Sequence, residues 1–192
     1  MVNAVAENSI VQLSEQNLDT LSKLVSTPTY DRSKLSKSIV HIGVGSFHRS
    51  HQALYIDSLI EKTKTKDWSI VGLGIMDRDA EMAQALIQQD CLYTLVERGS
   101  NSITARCVGS ITDFIHGPTE LTKALATLAS TDTKIISLTV TEGGYFYNQA
   151  TGELLKEHPA ILHDRSMPEA PKTIYGYLVA AFLLRMKQGL PD

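Results

Sequence analysis

The sequence has 192 residues, of which 43% are apolar, and its 18 basic and 21 acidic residues give a formal net charge of −3. A chain of this length buries a substantial core in one domain or slightly more, and its interspersed charges offer no basic surface for nucleic acid or an anionic membrane. The longest apolar run, residues 178–184, is much shorter than the ~20 residues of a membrane span, and the N-terminus lacks the layout of a secretory signal. We therefore expect a cytoplasmic protein that binds small molecules or other proteins.

The N-terminal segment, residues 1–37, is predicted to form one helix followed by a polar linker. Ser14 is a suitable N-cap. The apolar residues after it recur at helical spacing and are expected to share one face: Leu18, Leu21, Leu24 and Val25.

From residue 38 onward, short apolar strands alternate with amphipathic segments, which predicts an α/β domain over residues 38–192. Strands at 38–44 and 69–76 are each followed by a predicted helix, at 46–64 and 77–90. This part of the chain therefore has the strand and helix order β, α, β, α.

The second half continues the alternation. Two runs, residues 92–98 and 103–114, predict an antiparallel pair inserted beside the parallel sheet. Pro118 is expected in the first turn of the next helix, and the apolar strand 134–140 is expected to be buried on both faces. A loop-rich stretch and a long helix follow. The predicted fold is Rossmann-like and doubly wound, with a mostly parallel sheet and an inserted antiparallel pair.

Two cysteines, Cys91 and Cys107, lie in apolar contexts without a Cys-x-x-Cys spacing. This usage is typical of a reducing compartment. We predict that both are buried structural thiols.

The first strand of the domain ends in Gly43-Val44-Gly45 and leads directly into a helix. Glycines at this place permit a tight turn and let the backbone approach an anion that faces free N–H groups and the helix dipole. The third glycine of the dinucleotide fingerprint is missing, since position 48 is histidine. The turn alone thus predicts a pyrophosphate site or a tight structural turn equally well.

Acidic residues follow the second strand of the domain. A carboxylate there would hold the ribose hydroxyls of a dinucleotide, and Asp77 and Asp79 lie at that place. Each acid is equally suited to cap the following helix. Arg78 lies between them and is suited to a 2′-phosphate, so the sequence favours NAD over NADP only moderately.

Other functions of the first turn fit less well. A P-loop closes with Gly-Lys followed by Ser or Thr, whereas this chain has Phe47, His48 and Arg49. His48 and His51 share a helical face near His41, but zinc would need further ligands, so we predict no metal site. Arg49 is suited to pair with a phosphate or a neighbouring acid, or to face solvent.

Several motifs, taken in order, carry a family resemblance: IVHIGVGSFHRSHQ (39–52), DWSIVGLGIM (67–76), QDCLYTLVERG (89–99), IISLTVTEGGYF (135–146) and APKTIYGYLVAA (170–181). With these motifs the chain resembles the N-terminal half of the long-chain polyol dehydrogenase family, and most of all its mannitol 2-dehydrogenase members. The resemblance runs from about Leu13 to the last residue.

The resemblance implies metal-independent hydride transfer between a sugar alcohol and a nicotinamide cofactor, with NAD preferred to NADP and D-mannitol and D-fructose as the first substrate pair. Fructuronate and tagaturonate reductases and arabinitol dehydrogenases share the same front half, so the substrate stays open. Thr141 and Glu142 would lie near the nicotinamide, although Glu142 is equally suited to bond local backbone N–H groups. The full set of expected cofactor-binding residues is Gly43, Val44, Gly45, Ser46, Phe47, His48, Arg49, Asp77, Arg78, Thr141 and Glu142.

The chain departs from the family in one respect. The family's catalytic Lys-x4-Asn-x2-His motif lies in a helical C-terminal domain, and Lys156, Lys172 and Lys187 lack that spacing. We therefore expect no catalytic residue in this chain, which would be the cofactor-binding front portion of a longer protein, inactive alone and a monomer or weak homodimer. The alternative is a short, catalytically inactive nucleotide-binding or interaction module.

Overall fold

The computed structural model describes residues 11–190. Residues 1–10 of the predicted N-terminal segment, and residues 191 and 192 of the predicted domain, lie outside the described residues. The strands are β1 (Ile39–Ile42), β2 (Ile70–Gly74), β3 (Tyr93–Arg98), β4 (Ile103–Val108), β5 (Ile111–His116) and β6 (Ile135–Leu138). The helices are α1 (Leu18–Leu21), α2 (Ser46–Ser50), α3 (Gln52–Thr63), α4 (Ala80–Ile87), α5 (Leu121–Leu128), α6 (Pro159–Ser166) and α7 (Ile174–Lys187).

Four strands form a parallel sheet in the order β5-β2-β1-β6, and β3 and β4 form a separate antiparallel pair. Because successive side chains of a strand face opposite sides, the fully buried strand β1 contributes to two cores. Val40 and Ile42 pack with α5 and α7, whereas Ile39 packs with α3 and α4. The predicted fold class is confirmed, since helices cover both faces of a mostly parallel sheet.

Residues 103–114 were predicted as one strand of the antiparallel pair, but they contain β4 and most of β5. β4 pairs with β3, but β5 pairs in parallel with β2, so the prediction was wrong for the end of the run. Gly109 separates the two strands: its N–H donates to Asp57 at 2.9 Å, and its carbonyl accepts from Arg32 Nε at 2.8 Å. A Cβ at this position would lie 2.7 Å from Pro28 Cγ, so the close approach of Pro28 requires a glycine here.

β6 is less buried than we predicted from its apolar sequence. Its residues are half-buried or exposed, and Ile135 is 43% exposed. Among the described strands, β6 pairs only with β1, which leaves its other edge uncovered. An apolar groove of about 490 Å³ lies between β6 and α7 and is lined in part by Ile136, Leu178 and Phe182.

The first helix is shorter than predicted. α1 ends at Leu21, where the chain turns, and Leu24 is 78% exposed instead of sharing a buried face with Leu21. Ser14 makes no capping hydrogen bond with its side chain. The prediction that Leu24 and Val25 continue the helix was therefore wrong.

Two later helices also differ from prediction. Pro118 precedes α5 instead of occupying its first turn. α6 lies partly in the stretch predicted to be loop-rich. Pro159 occupies its first position, where proline is common, and the His158 side chain accepts a hydrogen bond from the Ala160 N–H. No helix within residues 11–190 combines the length and apolar character needed to cross a membrane.

A buried ionic cluster attaches the β3–β4 pair to α3. Asp57 of α3 is fully buried; it accepts from the Tyr30 hydroxyl at 2.6 Å and from the Gly109 N–H at 2.9 Å, and it pairs with Arg106 of β4. Burial and the neighbouring Asp57 raise the pKa of Tyr30 above its usual range, so the phenol stays protonated and donates. Asp57 thus holds three separate parts of the chain together.

Candidate functional site

A cavity of about 860 Å³ opens at the carboxyl ends of β1, β2 and β6. Three stretches form most of its wall, at residues 42–45, 74–76 and 139–144, with further side chains from α4. The chain leaves β1 for β2 on one side, whereas β6 lies on the other side of β1. In open parallel sheets this point of reversal is where ligands bind.

The glycine turn forms one wall of the cavity. Gly43 has φ +88°, and a Cβ on it would lie 2.4 Å from the Thr139 carbonyl oxygen, so only glycine fits between β1 and β6. Gly45 has an ordinary φ of −81°, and a Cβ on it would meet nothing closer than the Gly43 oxygen at 4.0 Å. Since Gly45 lines the cavity, the space beside it is open to a ligand.

Arg49 braces this turn from behind. Its Nη1 donates to the Val44 carbonyl at 2.8 Å and lies 3.3 Å from the Met82 sulfur, and its own carbonyl accepts from the Tyr93 hydroxyl. Arg49 is not part of the cavity wall. Its guanidinium therefore supports the turn's backbone in this structure.

The structure brings only some of the expected cofactor-binding residues together. Those that line the cavity are Gly43, Val44, Gly45, Arg78 and Thr141. Those outside its wall are Ser46, Phe47, His48, Arg49, Asp77 and Glu142. Their part in binding stays a prediction.

The residues outside the wall differ in their surroundings. Phe47 is 65% exposed and stacks on His51, and Ser46 is the first residue of α2. Glu142 accepts from the Gln149 amide at 2.9 Å. Asp77 is exposed, and its carboxylate has no hydrogen-bond partner within the described part of the chain.

Asp79 makes a local contact of the kind that the capping alternative predicts, although its side chain bonds the turn before α4 and not an N–H of α4 itself. Its Oδ2 accepts from the Met76 N–H at 3.0 Å and so closes the turn before α4. A Cβ on Gly74 would lie 2.6 Å from Asp79 Cβ, so the glycine makes room for this contact. Asp79 therefore has a structural role, and it also lines the cavity, whereas Asp77 is exposed and outside the wall.

Sequence reasoning missed several residues that line the cavity, among them Thr139, Gly143, Gly144 and Met82. The first three follow the carboxyl end of β6, and the end of a parallel strand at the reversal point was the available signal. Met82 lies on α4, and nothing in its spacing distinguishes it from a core residue.

Two buried histidines lie beneath the glycine turn. The rings of His41 and His48 stack with centroids 3.5 Å apart and planes 13° apart, and each residue is 1% exposed. Burial lowers the pKa of His41 to about 4, and burial followed by the charge of His41 and Arg49 lowers the pKa of His48 to about 3. Both rings are therefore neutral at physiological pH.

We expect the free energy of unfolding to fall as the pH drops from about 6.5 toward 4. In that range the unfolded histidines bind protons that the folded ones do not, so each costs roughly 1 kcal/mol of stability per pH unit. Denaturant titrations at about pH 7, 6 and 5 measure this slope. His48→Phe retains a stacked ring and should flatten the slope relative to the parent protein; equal slopes would contradict the prediction.

The described residues contain no group of three or more metal-ligating side chains placed to hold an ion. Cys91 and Cys107 are free and buried, as predicted, and burial raises the pKa of each thiol to about 11. They are therefore unreactive components of the core.

Comparison with known proteins agrees with this geometry. A family model, the mannitol dehydrogenase Rossmann domain, matches residues 37–191. Mannitol dehydrogenase 2 of Saccharomyces cerevisiae is 45% identical over 184 residues, which cover 96% of this chain and 37% of that protein. Mannitol 2-dehydrogenase of Pyricularia oryzae is 45% identical over 170 residues, which cover 88% of this chain and 34% of that protein.

Two solved structures share the fold. A ternary complex of Pseudomonas fluorescens mannitol 2-dehydrogenase with NAD and D-mannitol has a TM-score of 0.90 and 39% identity, over 95% of this chain and 37% of that one. A substrate-free D-sorbitol dehydrogenase has a TM-score of 0.86 and 36% identity, over 94% and 37%. The chain thus spans little more than a third of the length of these relatives. It belongs to the mannitol dehydrogenase family, and residues 37–191 correspond to the family's Rossmann domain.

Proposed function

We propose that this chain forms the NAD site of a polyol oxidoreductase that interconverts D-mannitol and D-fructose. The observation that carries the proposal is the cavity at the reversal point of the sheet, bounded by a glycine turn whose Gly45 leaves open space on the cavity side. The similar Pseudomonas fluorescens enzyme holds NAD and D-mannitol in its complex, which supports the choice of ligands. Residues 38–192 would form the cofactor domain, and residues 1–37 would precede it.

The residues present fit a dinucleotide. The N–H groups of Gly43 and Gly45 donate to the Leu73 and Gly43 carbonyls. The pyrophosphate would therefore lie on the open side of Gly45 and bind the N–H groups of the first turn of α2, which lack intrahelical partners. Asp77 would hold the adenosine ribose, and Thr141 and Glu142 would lie toward the nicotinamide. The bound nicotinamide supplies a hydride acceptor or donor. The chain's own part is to bind and orient it.

Proton transfer from the alcohol needs a base at the reacting carbon. None of the lysines has the family's Lys-x4-Asn-x2-His spacing, so we propose that this base is not supplied by residues 11–190. The role of this chain is then to hold the cofactor in a protein whose other residues act on the substrate.

Cofactor choice is expected to depend on Asp77. Its carboxylate would bond the ribose hydroxyls of NAD and repel the 2′-phosphate of NADP, while Arg78, on the cavity wall, would attract that phosphate. We expect Asp77→Ser to raise the ratio of kcat/KM for NADPH over NADH by roughly tenfold, or ~1.4 kcal/mol. Asp132→Ser is the matched control, because Asp132 is an exposed acid outside the cavity wall. A ratio unchanged by Asp77→Ser would remove Asp77 from this role.

The proposed function is tested by steady-state assays of the full-length protein. We expect oxidation of NADH with D-fructose to be faster than with fructuronate, tagaturonate or xylulose. A faster reaction with one of the uronates or with xylulose would replace the substrate assignment. NADH binding without turnover of any ketose would instead favour an inactive nucleotide-binding module, and absence of NADH binding would refute the proposal. A cytoplasmic location and a monomer or weak homodimer are part of the same proposal.

A further inference from the structure

A continuous series of partly buried polar contacts connects α3 to the glycine turn. The Ser137 hydroxyl lies 3.1 Å from Oε1 of Gln52 and 2.8 Å from Nδ1 of His41. Nε2 of His41 lies 2.9 Å from the Thr139 hydroxyl, which lies 2.8 Å from the Gly43 carbonyl oxygen. This series of contacts therefore runs from α3 through β6 and β1 to the glycine turn.

The hydrogens in this series of contacts have a fixed direction. The Gly43 carbonyl has no hydrogen, so the contact of 2.8 Å requires the Thr139 hydroxyl to donate to it. That hydroxyl has no second hydrogen, and it accepts from Nε2 of His41 at 2.9 Å. Nε2 of His41 must then carry a proton, whatever the state of Nδ1.

Nδ1 of His41 is the remaining choice. The Ser137 hydroxyl faces Oε1 of Gln52. In a neutral ring Nδ1 accepts from that hydroxyl, so the Gln52 carboxamide must then be turned over to donate to it from its nitrogen. In a charged ring Nδ1 donates a hydrogen bond to the Ser137 oxygen, and the Ser137 hydroxyl donates to the carboxamide oxygen of Gln52. Burial lowers the pKa of His41 to about 4, so the ring is neutral at neutral pH. The proton on Nε2 is required by the Thr139 and Gly43 contacts in either state of the ring.

We propose that His41 is a positioning residue for the glycine turn: held as the Nε2–H tautomer, it fixes the Thr139 hydroxyl and through it the carbonyl of Gly43. This inference rests on the proposed function in so far as the turn's ligand is a dinucleotide. The same contact keeps the Gly43 carbonyl directed at β6, where Gly43 already approaches the Thr139 backbone closely. The backbone of the turn is then ordered before the ligand arrives, which reduces the cost of binding.

His48 holds the ring of His41 in place. It stacks on His41 at 3.5 Å, and within the described residues neither of its nitrogens has a hydrogen-bond partner. The neighbours that act on the pKa of His48 are His41, the Gln52 side chain and Arg49. The guanidinium of Arg49 is directed at the Val44 carbonyl and Met82. His48 thus contributes a flat neutral surface, and the hydrogen bonds to Ser137 and Thr139 are made by His41.

The tautomer can be observed directly. Nitrogen NMR of the full-length protein labelled with ¹⁵N-histidine at neutral pH, with His41→Phe to assign the signals, should show His41 protonated at Nε2 and bare at Nδ1. A ring protonated at Nδ1 alone, or at both nitrogens, would overturn the inference. This measurement needs no cofactor, so it is independent of whether the protein binds NADH.

Binding measurements test the positioning role. Thr139→Val removes the hydroxyl at nearly constant shape and should weaken NADH binding by roughly tenfold, whereas Thr139→Ser should stay within about twofold of the parent protein. His41→Phe should also weaken binding. The double variant His41→Phe/Thr139→Val should lose no more than Thr139→Val alone, because His41 acts through Thr139. Thr127→Val, whose hydroxyl bonds Lys123 on α5, is the control and should bind normally.

The outcomes are distinct. Additive losses in the double variant, or full affinity in Thr139→Val, would overturn the positioning role. Failure of the parent protein itself to bind NADH would refute the proposed function, while the tautomer measurement would still decide the state of His41. Thermal unfolding of each variant identifies any loss of affinity that comes from loss of fold.

Discussion

Replacement of Gly45 by valine is expected to abolish NADH binding while the protein remains folded. Valine is compatible with the φ of −81° at this position, and a Cβ there would have no neighbour closer than 4.0 Å. Its branched side chain would fill the open space on the cavity side of the turn, which the pyrophosphate needs. We expect a loss of at least ~100-fold in affinity, or ~2.7 kcal/mol, in titration calorimetry of the full-length protein.

Gly43→Ala provides the contrasting variant. Its Cβ would lie 2.4 Å from the Thr139 carbonyl oxygen at φ +88°, so this change should destabilise the fold itself. The pair separates two effects: Gly45→Val removes binding at an unchanged melting temperature, and Gly43→Ala lowers that temperature. Normal NADH affinity in Gly45→Val would show that the ligand does not use this turn.

The largest effect on stability is expected at Asp57. Asp57→Ala removes a fully buried carboxylate that accepts from Tyr30 and the Gly109 backbone and pairs with Arg106. Arg106 would lose its partner, but its side chain is 31% exposed, so the main cost comes from the Tyr30 hydroxyl and the Gly109 N–H, which would lose their acceptor. We expect a loss of ~2–4 kcal/mol in the free energy of unfolding. Chemical denaturation of the full-length protein measures it.

Asp113→Ala is the matched control for Asp57. Asp113 also forms two ion pairs, with Lys37 at 2.8 Å and Lys123 at 3.5 Å, but both lysine side chains are about half exposed. Exposed pairs contribute little, so this variant should lose no more than ~1 kcal/mol. Similar losses in the two variants would show that burial of Asp57 is not the source of its effect.

Much of the fold was predictable because its strands are short and apolar, and because glycines or acidic residues follow the first two strands. The turn at Gly43 to Gly45 and its place between a strand and a helix follow from the sequence alone. The break at Gly109 does not, because apolar alternation continues through it, and it depends on contacts with Pro28 and Arg32 that are distant in the chain.

The candidate site was predictable in its location and less so in its residues. The acids after β2 could be found from the sequence, but only the Met76 contact distinguishes the capping Asp79 from the unbonded Asp77. His48 and Arg49 lie three and four residues after Gly45, yet their side chains point behind the turn. Their direction depends on α2, which breaks at His51 after five residues, and this break has no clear sequence signal.

The open edge of β6 affects how this polypeptide should be prepared for study. No strand within residues 11–190 pairs with this edge, and Ile135 and the groove beside α7 are adjacent to it. Strand edges of this kind associate with one another when nothing covers them. A sample restricted to residues 11–190 would therefore tend to aggregate on concentration, and charged substitutions at Ile135 or Phe182 are the natural way to keep such a sample dispersed.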